Sequence, residues 1–270
     1  MTVVALEGIN LSYRGGGLFS RHPPRTVLRD AALRINEGEC VALLGRTGSG
    51  KSTLGRILLG LERPDAGTAS FRGAPLLNGR GRMIPATRRA LQAVFQDPYG
   101  ATSQRHTAFD VVAEPLLQDG LPRAMLRDRV AALMHQVELD PAPMDRLAHR
   151  MSGGQLQRLC IARALAPCPA LIVLDEAVNS LDAETQAHLM VLLRRLRQDG
   201  MAFLFITHDL RLLRGFADRV CVMQDGRPLP VPPPGSGMPE PAALAELRAA
   251  LLPARPPVRD GARREAHAIA

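Results

Sequence analysis

The sequence predicts an α/β fold, because short apolar runs alternate with longer stretches of helical periodicity. Three runs bounded by turn residues are expected to form buried parallel strands, at residues 40–44, 171–174 and 202–207. One helix is expected to bury a single face, formed by Leu189, Leu192, Leu193 and Leu196. A chain of 270 residues that is 46% hydrophobic can form one large domain or two modest ones.

The N-terminal part predicts further strands around a glycine-rich segment. In order, we expect a strand at 3–11, a loop at 14–25, a strand at 28–35, a turn at 37–38, the buried strand at 40–44, a helix through 57–59 and a strand at 91–95.

Composition changes twice in the C-terminal two thirds. Residues 111–150 favour helix without clear strands, which predicts an inserted helical subdomain. Residues 228–239 contain six prolines and two glycines, a composition typical of a linker. A short amphipathic helix at 242–252 and a basic, proline-containing end follow. No internal repeat is present, so a single copy of the α/β unit is expected.

Composition and charge exclude several classes. No apolar run reaches about 18 residues, so no membrane span is expected, and the N-terminus lacks the pattern of a secretory signal. The four cysteines contain no C-x-x-C pair, fit neither a zinc site nor a disulfide framework, and indicate a reducing compartment. The formal charge is +8, and among 34 basic residues only Lys51 is a lysine. This predicts that Lys51 occupies a position that needs a compact ammonium.

The strongest motif fits G-x-x-x-x-G-K-[ST], a phosphate-binding loop between a buried strand and a helix. Its members are Gly45, Arg46, Thr47, Gly48, Ser49, Gly50, Lys51 and Ser52. Glycines let the backbone wrap phosphate oxygens with its amides, and the helix N-terminus adds positive potential. Lys51 is expected at the β- and γ-phosphates and Ser52 on Mg²⁺. The alternative, an ordinary glycine-rich turn, is disfavoured by this context.

Two carboxylates, Asp175 and Glu176, end the buried strand that begins at residue 171. Ligands of open α/β sheets bind at the carboxyl ends of strands. We therefore expect Asp175 to hold Mg²⁺ through water, and Glu176 to orient or deprotonate an attacking water. A strand-ending acidic pair is by itself more often a solvated turn, so this interpretation depends on the phosphate loop.

Residues 151–155 read Met-Ser-Gly-Gly-Gln and are followed by Leu-Gln-Arg. Ser152 can cap a helix that starts at the two glycines, leaving backbone amides available to an anion. With the two motifs above, this segment resembles the signature of the ATP-binding subunits of ABC transporters. Met151 replaces the usual leucine, a conservative change.

The resemblance covers about residues 3–227 and implies a P-loop NTPase (RecA-like) core with an antiparallel β subdomain and an inserted helical subdomain. The implied boundaries are 1–227 for the nucleotide-binding domain, with the helical subdomain at about 97–170, and 228–270 for a proline-rich linker and tail.

The resemblance also implies roles for further residues. Tyr13 would stack on adenine, Gln96 would touch Mg²⁺ and couple to membrane subunits, and Asp182 would cross the dimer interface. His208 would contact the γ-phosphate, which makes Glu176, His208 and Lys51 the implied catalytic residues. The other implied nucleotide contacts are Thr53 and the signature residues Ser152, Gly153, Gly154 and Gln155, which serve the nucleotide of a partner.

In this family two subunits sandwich two ATP molecules head to tail. The implied partners are a second ATPase subunit, two membrane permease subunits and a substrate-binding protein outside the membrane. A paralogous ATPase partner is favoured and a homodimer stays open. The implied location is the cytoplasmic face of the inner membrane, as a peripheral subunit.

Three short segments resemble the peptide and nickel importer branch of this family, at residues 95–99, 175–178 and 205–210. Peptide-importing relatives usually carry a longer C-terminal region, so nickel or a nickel chelate is favoured, and residues 251–254 and 257–259 also resemble the nickel subgroup. Residues 100–105 depart from the branch pattern, which leaves the cargo open between nickel and peptides. The scattered histidines are read as surface residues rather than nickel ligands.

A third hypothesis is a non-transport ABC ATPase acting on ribosomes or DNA, which the positive charge would allow. Such proteins usually carry two cassettes or a long coiled-coil insertion, and this chain has neither. It also lacks an aromatic-rich RNA-binding motif, so no nucleic-acid partner is expected.

Overall fold

The computed structural model describes residues 1–13, 24–233, 236 and 238–251. Its strands are β1 (Thr2–Tyr13), β2 (Arg25–Asn36), β3 (Cys40–Leu44), β4 (Ala66–Phe71), β5 (Ala74–Pro75), β6 (Leu91–Phe95), β7 (Leu171–Asp175), β8 (Ala202–Thr207), β9 (Arg219–Gln224) and β10 (Arg227–Pro230). Its α-helices are α1 (Lys51–Leu58), α2 (Pro85–Ala90), α3 (Ala108–Gln118), α4 (Arg123–Gln136), α5 (Gly153–Leu165), α6 (Ala183–Gln198) and α7 (Ala242–Leu251). None of the helices in these ranges is long and apolar enough to cross a membrane.

The larger sheet has the strand order β10-β9-β3-β8-β7-β6. Its strands from β9 to β6 run parallel, while β10 returns antiparallel to β9. The carboxyl ends of β3, β6, β7 and β8 therefore lie along one edge, where ligands of open parallel sheets bind. The smaller sheet is antiparallel, with the order β2-β1-β4-β5, which matches the antiparallel subdomain that was expected.

Strand β3 separates the two hydrophobic cores. Val41 and Leu43 belong to a cluster shared with the smaller sheet and α1. Cys40, Ala42 and Leu44 point the other way, into a cluster with helices α3 to α6. Because both faces of β3 are buried, all five of its residues are apolar instead of alternating.

The structure confirms most of the predicted elements. Strands β3, β6 and β8 have the predicted bounds, and β1, β2 and β7 lie within a few residues of theirs. The predicted apolar face of α6 is buried, at Leu189, Leu192, Leu193 and Leu196. Residues 111–150 contain helices and no strand. Helix α7 confirms the predicted C-terminal helix up to Leu251.

Two predictions need correction. The linker expected from Pro228 was wrong for residues 228–230, which form β10 at the sheet edge, where prolines cost no ladder hydrogen bond. The loop expected over residues 14–25 was wrong at Arg25, which begins β2 opposite Tyr13. Residues 14–23 of that loop, residues 234, 235 and 237 of the linker, the whole predicted basic end and the resemblance at 252–254 and 257–259 lie outside the described residues. Among the described strands and α-helices, those that were not predicted are β4, β5, β9, β10 and α2.

Candidate functional site

Residues from four strand ends meet at one edge of the larger sheet. Strand β3 leads into the glycine loop at 45–50, and α1 begins at once with Lys51. Strand β7 ends in Asp175 and is followed by Glu176, while β8 is followed by His208 and β6 by Gln96. The parallel topology thus gathers motifs that are far apart in the sequence.

The glycine loop holds Lys51 at its centre. The Lys51 side chain donates hydrogen bonds from Nζ to the carbonyl oxygens of Gly45, at 2.7 Å, and Arg46, at 3.0 Å. Gly50 precedes α1 with a φ of 104° and has no side chain that could cap the helix. The first backbone amides of α1, which have no acceptor within the helix, therefore have no acceptor from a cap side chain either. Burial lowers the pKa of Lys51, while the nearby carboxylates Glu176 and Asp175 act to raise it. This is a compact cationic cradle for an anion.

The loop and the acidic strand end are linked directly. Ser52 donates from Oγ to Asp175 Oδ1 at 3.0 Å, which joins two elements 123 positions apart. Burial raises the pKa of Asp175, and the Ser52 hydrogen bond acts against that rise. A hydroxyl and a carboxylate held together in this way are ligands that suit Mg²⁺.

Ser49 provides an independent test of whether the loop fits a polyphosphate. Its hydroxyl is buried, and among the described residues it has no hydrogen-bond partner. A Cβ on Gly45 would come within 2.6 Å of that hydroxyl, so only glycine leaves the space open. An unpaired donor beside Lys51 and the amides of α1 matches what phosphate oxygens require, and the residues therefore fit the nucleotide.

Glu176 and His208 face each other across the end of the sheet. Glu176 adopts a left-handed φ of 52°, an uncommon backbone position for a non-glycine residue. Its Oε1 lies 3.7 Å from His208 Nδ1, which is beyond hydrogen-bond distance. The amide Nδ2 of Asn179 is closer to that ring nitrogen, at 3.2 Å, and Thr207 donates to Asn179 Oδ1 at 3.2 Å. An amide nitrogen can only donate, so Nδ1 accepts and neutral His208 carries its proton on Nε2.

Tyr13 lies at the end of β1, beside α1. The residue is 40% exposed, and its hydroxyl donates a hydrogen bond to the Glu62 carboxylate. Burial and Glu62 raise the pKa of Tyr13, while a hydrogen bond with Thr53 lowers it. A partly exposed tyrosine beside α1 offers an aromatic surface for a base.

Gln96 is exposed after β6, and its backbone is tied to other elements. Its carbonyl accepts a hydrogen bond from Ser180 Oγ at 3.3 Å. One residue earlier, the carbonyl of Phe95 accepts from Nε2 of Gln157, a fully buried side chain on α5, at 3.2 Å. The strand end therefore contacts both α5 and the segment before α6.

The signature residues form a second group. Ser152 caps α5: its Oγ accepts from the Gln155 amide at 3.3 Å, and Gln155 Oε1 accepts from the Ser152 amide at 3.1 Å. Asp182 caps α6, accepting from the amide and the hydroxyl of Thr185 at 2.9 and 2.7 Å. A Cβ on Gly154 would lie 2.3 Å from the Thr185 methyl carbon, so the two helix starts are in close contact.

The predicted site residues thus fall into two groups. One contains the phosphate loop, Thr53, Tyr13, Asp175, Glu176, His208 and Gln96. The other contains Ser152, Gly153, Gly154, Gln155 and Asp182, and within the described residues no hydrogen bond or ion pair joins residues 151–155 to the phosphate loop.

Sequence reasoning missed several residues at this site. No motif marks Asn179 or Gln157 as a functional residue, although both lie close in sequence to predicted site residues. Arg25 was assigned to a loop, yet its guanidinium lies 3.6 Å from the position that a Cβ on Gly48 would take. Glu62 contacts Tyr13 from the loop after α1. Only the three-dimensional structure reveals these contacts, since no short spacing connects the partners.

Comparisons with known proteins identify the relatives of the chain. A family model described as "ABC transporter" matches residues 28–179. The nickel import ATP-binding protein NikE of Rhodospirillum rubrum is 51% identical over 251 residues, covering 91% of this chain and 90% of the relative. The protein of that name from Escherichia coli K12 is 44% identical over 229 residues, covering 84% and 85%.

Solved structures show the same likeness. A dimeric post-hydrolysis structure of the ATP-binding cassette MJ0796, bound to ADP and Pi, superimposes with a TM-score of 0.73 at 30% identity, covering 83% of this chain and 96% of that one. The cbiO1 subunit from Clostridium perfringens, part of the ABC transporter complex cbiONQ, gives 0.72 at 27% identity, covering 84% and 87%. The similarity to these cassettes confirms the predicted α/β P-loop fold.

Proposed function

We propose that this chain, which belongs to the ABC transporter family and is the ATP-hydrolysing subunit of an importer, powers the uptake of nickel or a nickel chelate. The ATPase chemistry is supported most directly by the proximity of Lys51, Ser52 and Asp175 at one sheet edge, where Ser52 Oγ lies 3.0 Å from Asp175 Oδ1. Nickel as cargo rests on the likeness to nickel-import relatives over most of both chains.

In this proposal the phosphates of ATP bind to the glycine loop. The backbone amides at the start of α1, the Ser49 hydroxyl and the Lys51 ammonium donate to their oxygens. Thr53 lies in the same first turn, and the Tyr13 ring stacks on adenine. Ser52, Asp175 and Gln96 would hold Mg²⁺, which neutralises charge on the phosphates when bound.

The hydrolytic step is assigned to the residues after β7 and β8. Glu176 orients the attacking water and accepts its proton, because it directly follows Asp175 at the end of β7. His208 presents Nε2–H toward the γ-phosphate, since Asn179 occupies its Nδ1. As the water oxygen bonds to the γ-phosphorus and the bond to the β–γ bridging oxygen breaks, releasing ADP, Lys51 and His208 donate to the phosphate oxygens and stabilise their negative charge.

The second group of site residues is proposed to serve a partner. Ser152, Gly153, Gly154 and Gln155 present the capped start of α5 to the nucleotide of a second ATPase subunit, and Asp182 lies at the same interface. We propose a paralogous partner, two permease subunits and an external substrate-binding protein. The motor then lies on the cytoplasmic face of the inner membrane, with residues 1–227 as nucleotide-binding domain and about 97–170 as its helical subdomain.

The test is uptake of ⁶³Ni in cells that lack the gene. Wild-type chain should restore uptake, whereas Glu176→Gln should bind ATP yet fail to restore it, because the water loses its base. Normal nickel uptake with lost peptide uptake in the deletion strain would show a peptide importer instead. Unchanged ATPase activity in Glu176→Gln would remove Glu176 from its role.

A further inference from the structure

Helix α7 reaches the phosphate loop from the far end of the chain. It is held against β9 by the buried side chains of Leu244 and Leu247, which are 1% and 6% exposed. The amide of Ala243 also donates to Gln224 Oε1 at 3.2 Å. This anchoring places Glu246 beside the loop, with its Oε2 3.1 Å from Nη2 of Arg46.

Arg46 contacts other residues of the phosphate loop through its backbone and α7 through its side chain. Its carbonyl oxygen accepts from Lys51 Nζ at 3.0 Å and from the Ser49 amide at 3.2 Å. Its side chain is 69% exposed and extends to Glu246, whose side chain is 54% exposed. The backbone of Arg46 therefore shapes the phosphate cradle, while its guanidinium is held by a carboxylate outside the motif.

A triphosphate in the cradle would compete with Glu246 for that guanidinium. Guanidinium groups favour phosphate oxygens as much as carboxylates, because both match their forked donors. Glu246 also brings negative charge close to a site that must accept an anion. Both effects oppose nucleotide binding, and both act through a solvent-accessible pair that can open without disturbing the buried anchors of α7.

We propose that Glu246 is a positioning residue that restrains ATP binding, by holding the Arg46 side chain away from the phosphates. This inference rests on the proposed ATPase function. ATP binding transfers the Arg46 guanidinium from Glu246 to the nucleotide, so the C-terminal helix sets the affinity of the loop.

The experiment compares two charge-neutral variants of the full-length chain. Glu246→Gln removes the contact with Arg46, and Glu240→Gln is the matched control, because Glu240 pairs with Arg248 of the same helix at 2.6 Å and similar exposure. Equilibrium binding of a fluorescent ATP analogue is measured at low salt, with KM and kcat for ATP in the assembled transporter. We expect Glu246→Gln to lower both Kd and KM about two- to fivefold without changing kcat, and Glu240→Gln to change neither.

Two further measurements make the assignment specific. In an Arg46→Ala background, Glu246→Gln should have no additional effect, because no guanidinium remains to be released. The gain in affinity should shrink as salt is raised, since the competing charges are exposed. Equal changes in both glutamine variants, or weaker binding in Glu246→Gln, would overturn the proposal. A wild-type chain that fails to bind the analogue would instead overturn the proposed function.

Discussion

At the scale of single residues, the site depends on a lysine that is buried rather than on exposed charge. Lys51 is 4% exposed, and its ammonium donates to two loop carbonyls at 2.7 and 3.0 Å. A guanidinium is planar and wider, so it cannot enter this cradle with the same contacts. The chain tolerates arginine at every other basic position, which makes the exception physically meaningful.

We therefore expect Lys51→Arg to lose most ATPase activity, by about 100-fold, because a donor aimed at the transferred phosphate is displaced. Arg34→Lys is a suitable control, since Arg34 lies on the surface with 68% of its side chain exposed. Steady-state phosphate release checks both variants. Near-normal turnover in Lys51→Arg would show that the single lysine has no special role.

The residues of the loop could be predicted because their spacing is local, but their partners could not. Asn179 orients His208 across 29 positions, and Glu246 reaches Arg46 from the last described helix. Neither contact leaves a periodic or motif signal in the sequence. Such pairs follow from sheet order and helix docking, which one sequence without relatives does not determine.

At the scale of elements, the fully buried strands were predicted accurately, whereas strands rich in small, polar or proline residues, such as β4 and β10, were missed. Strand β3 is apolar throughout and β8 is apolar as far as Ile206, because both faces of each strand are covered. Strand β10 contains Pro228 and Pro230, which resemble a linker until β9 is seen to pair with it. Strand β4 has small and polar residues up to its last residue, Phe71, and no buried position, so its sequence carries little strand signal.

The contact between the starts of α5 and α6 gives a prediction at this scale. Gly154→Ala should destabilise the fold by about 1–3 kcal/mol, because the new methyl overlaps the Thr185 methyl carbon at 2.3 Å. Thr185→Ser should restore stability in the double variant, since serine keeps the hydroxyl that bonds Asp182 and lacks the methyl group.

The matched control for this prediction is Gly153→Ala. A Cβ at Gly153 meets no described atom within 4 Å, so its thermal midpoint should stay close to that of wild type. Thermal unfolding of all four proteins measures these effects. A Gly154→Ala variant as stable as Gly153→Ala would contradict the close contact.

At the scale of the whole molecule, the two hydrophobic cores bury three of the four cysteine thiols. Cys40, Cys160 and Cys221 are buried, and only Cys168 among the four cysteines is exposed. Burial raises the pKa of the Cys40 thiol to about 12, and it also raises the pKa of Cys160 and Cys221. Since the thiolate is the reactive form, these three are protected both by access and by protonation.

Thiol labelling with Ellman's reagent at pH 8 should therefore modify one cysteine quickly in the native protein and all four after denaturation. Cys168→Ser should abolish the fast phase. Burial also keeps these thiols protonated at pH values where the unfolded chain would ionise them. The contribution of these thiols to the free energy of unfolding is therefore highest below about pH 9 and decreases as the pH rises through the folded-state pKa. Rapid native labelling of a second thiol would show that a core opens.

The bonds around residues 95–99 have a mechanical consequence. Gln157 holds the carbonyl of Phe95, Ser180 holds that of Gln96, and the Tyr99 hydroxyl donates to the carbonyl of Met151 at 3.3 Å. These bonds fasten one short stretch to α5, to the segment before α6 and to the residue preceding Ser152. A displacement of residues 95–99 would therefore move the end of β6, the segment before α6 and the start of α5 together, instead of moving any one of them alone.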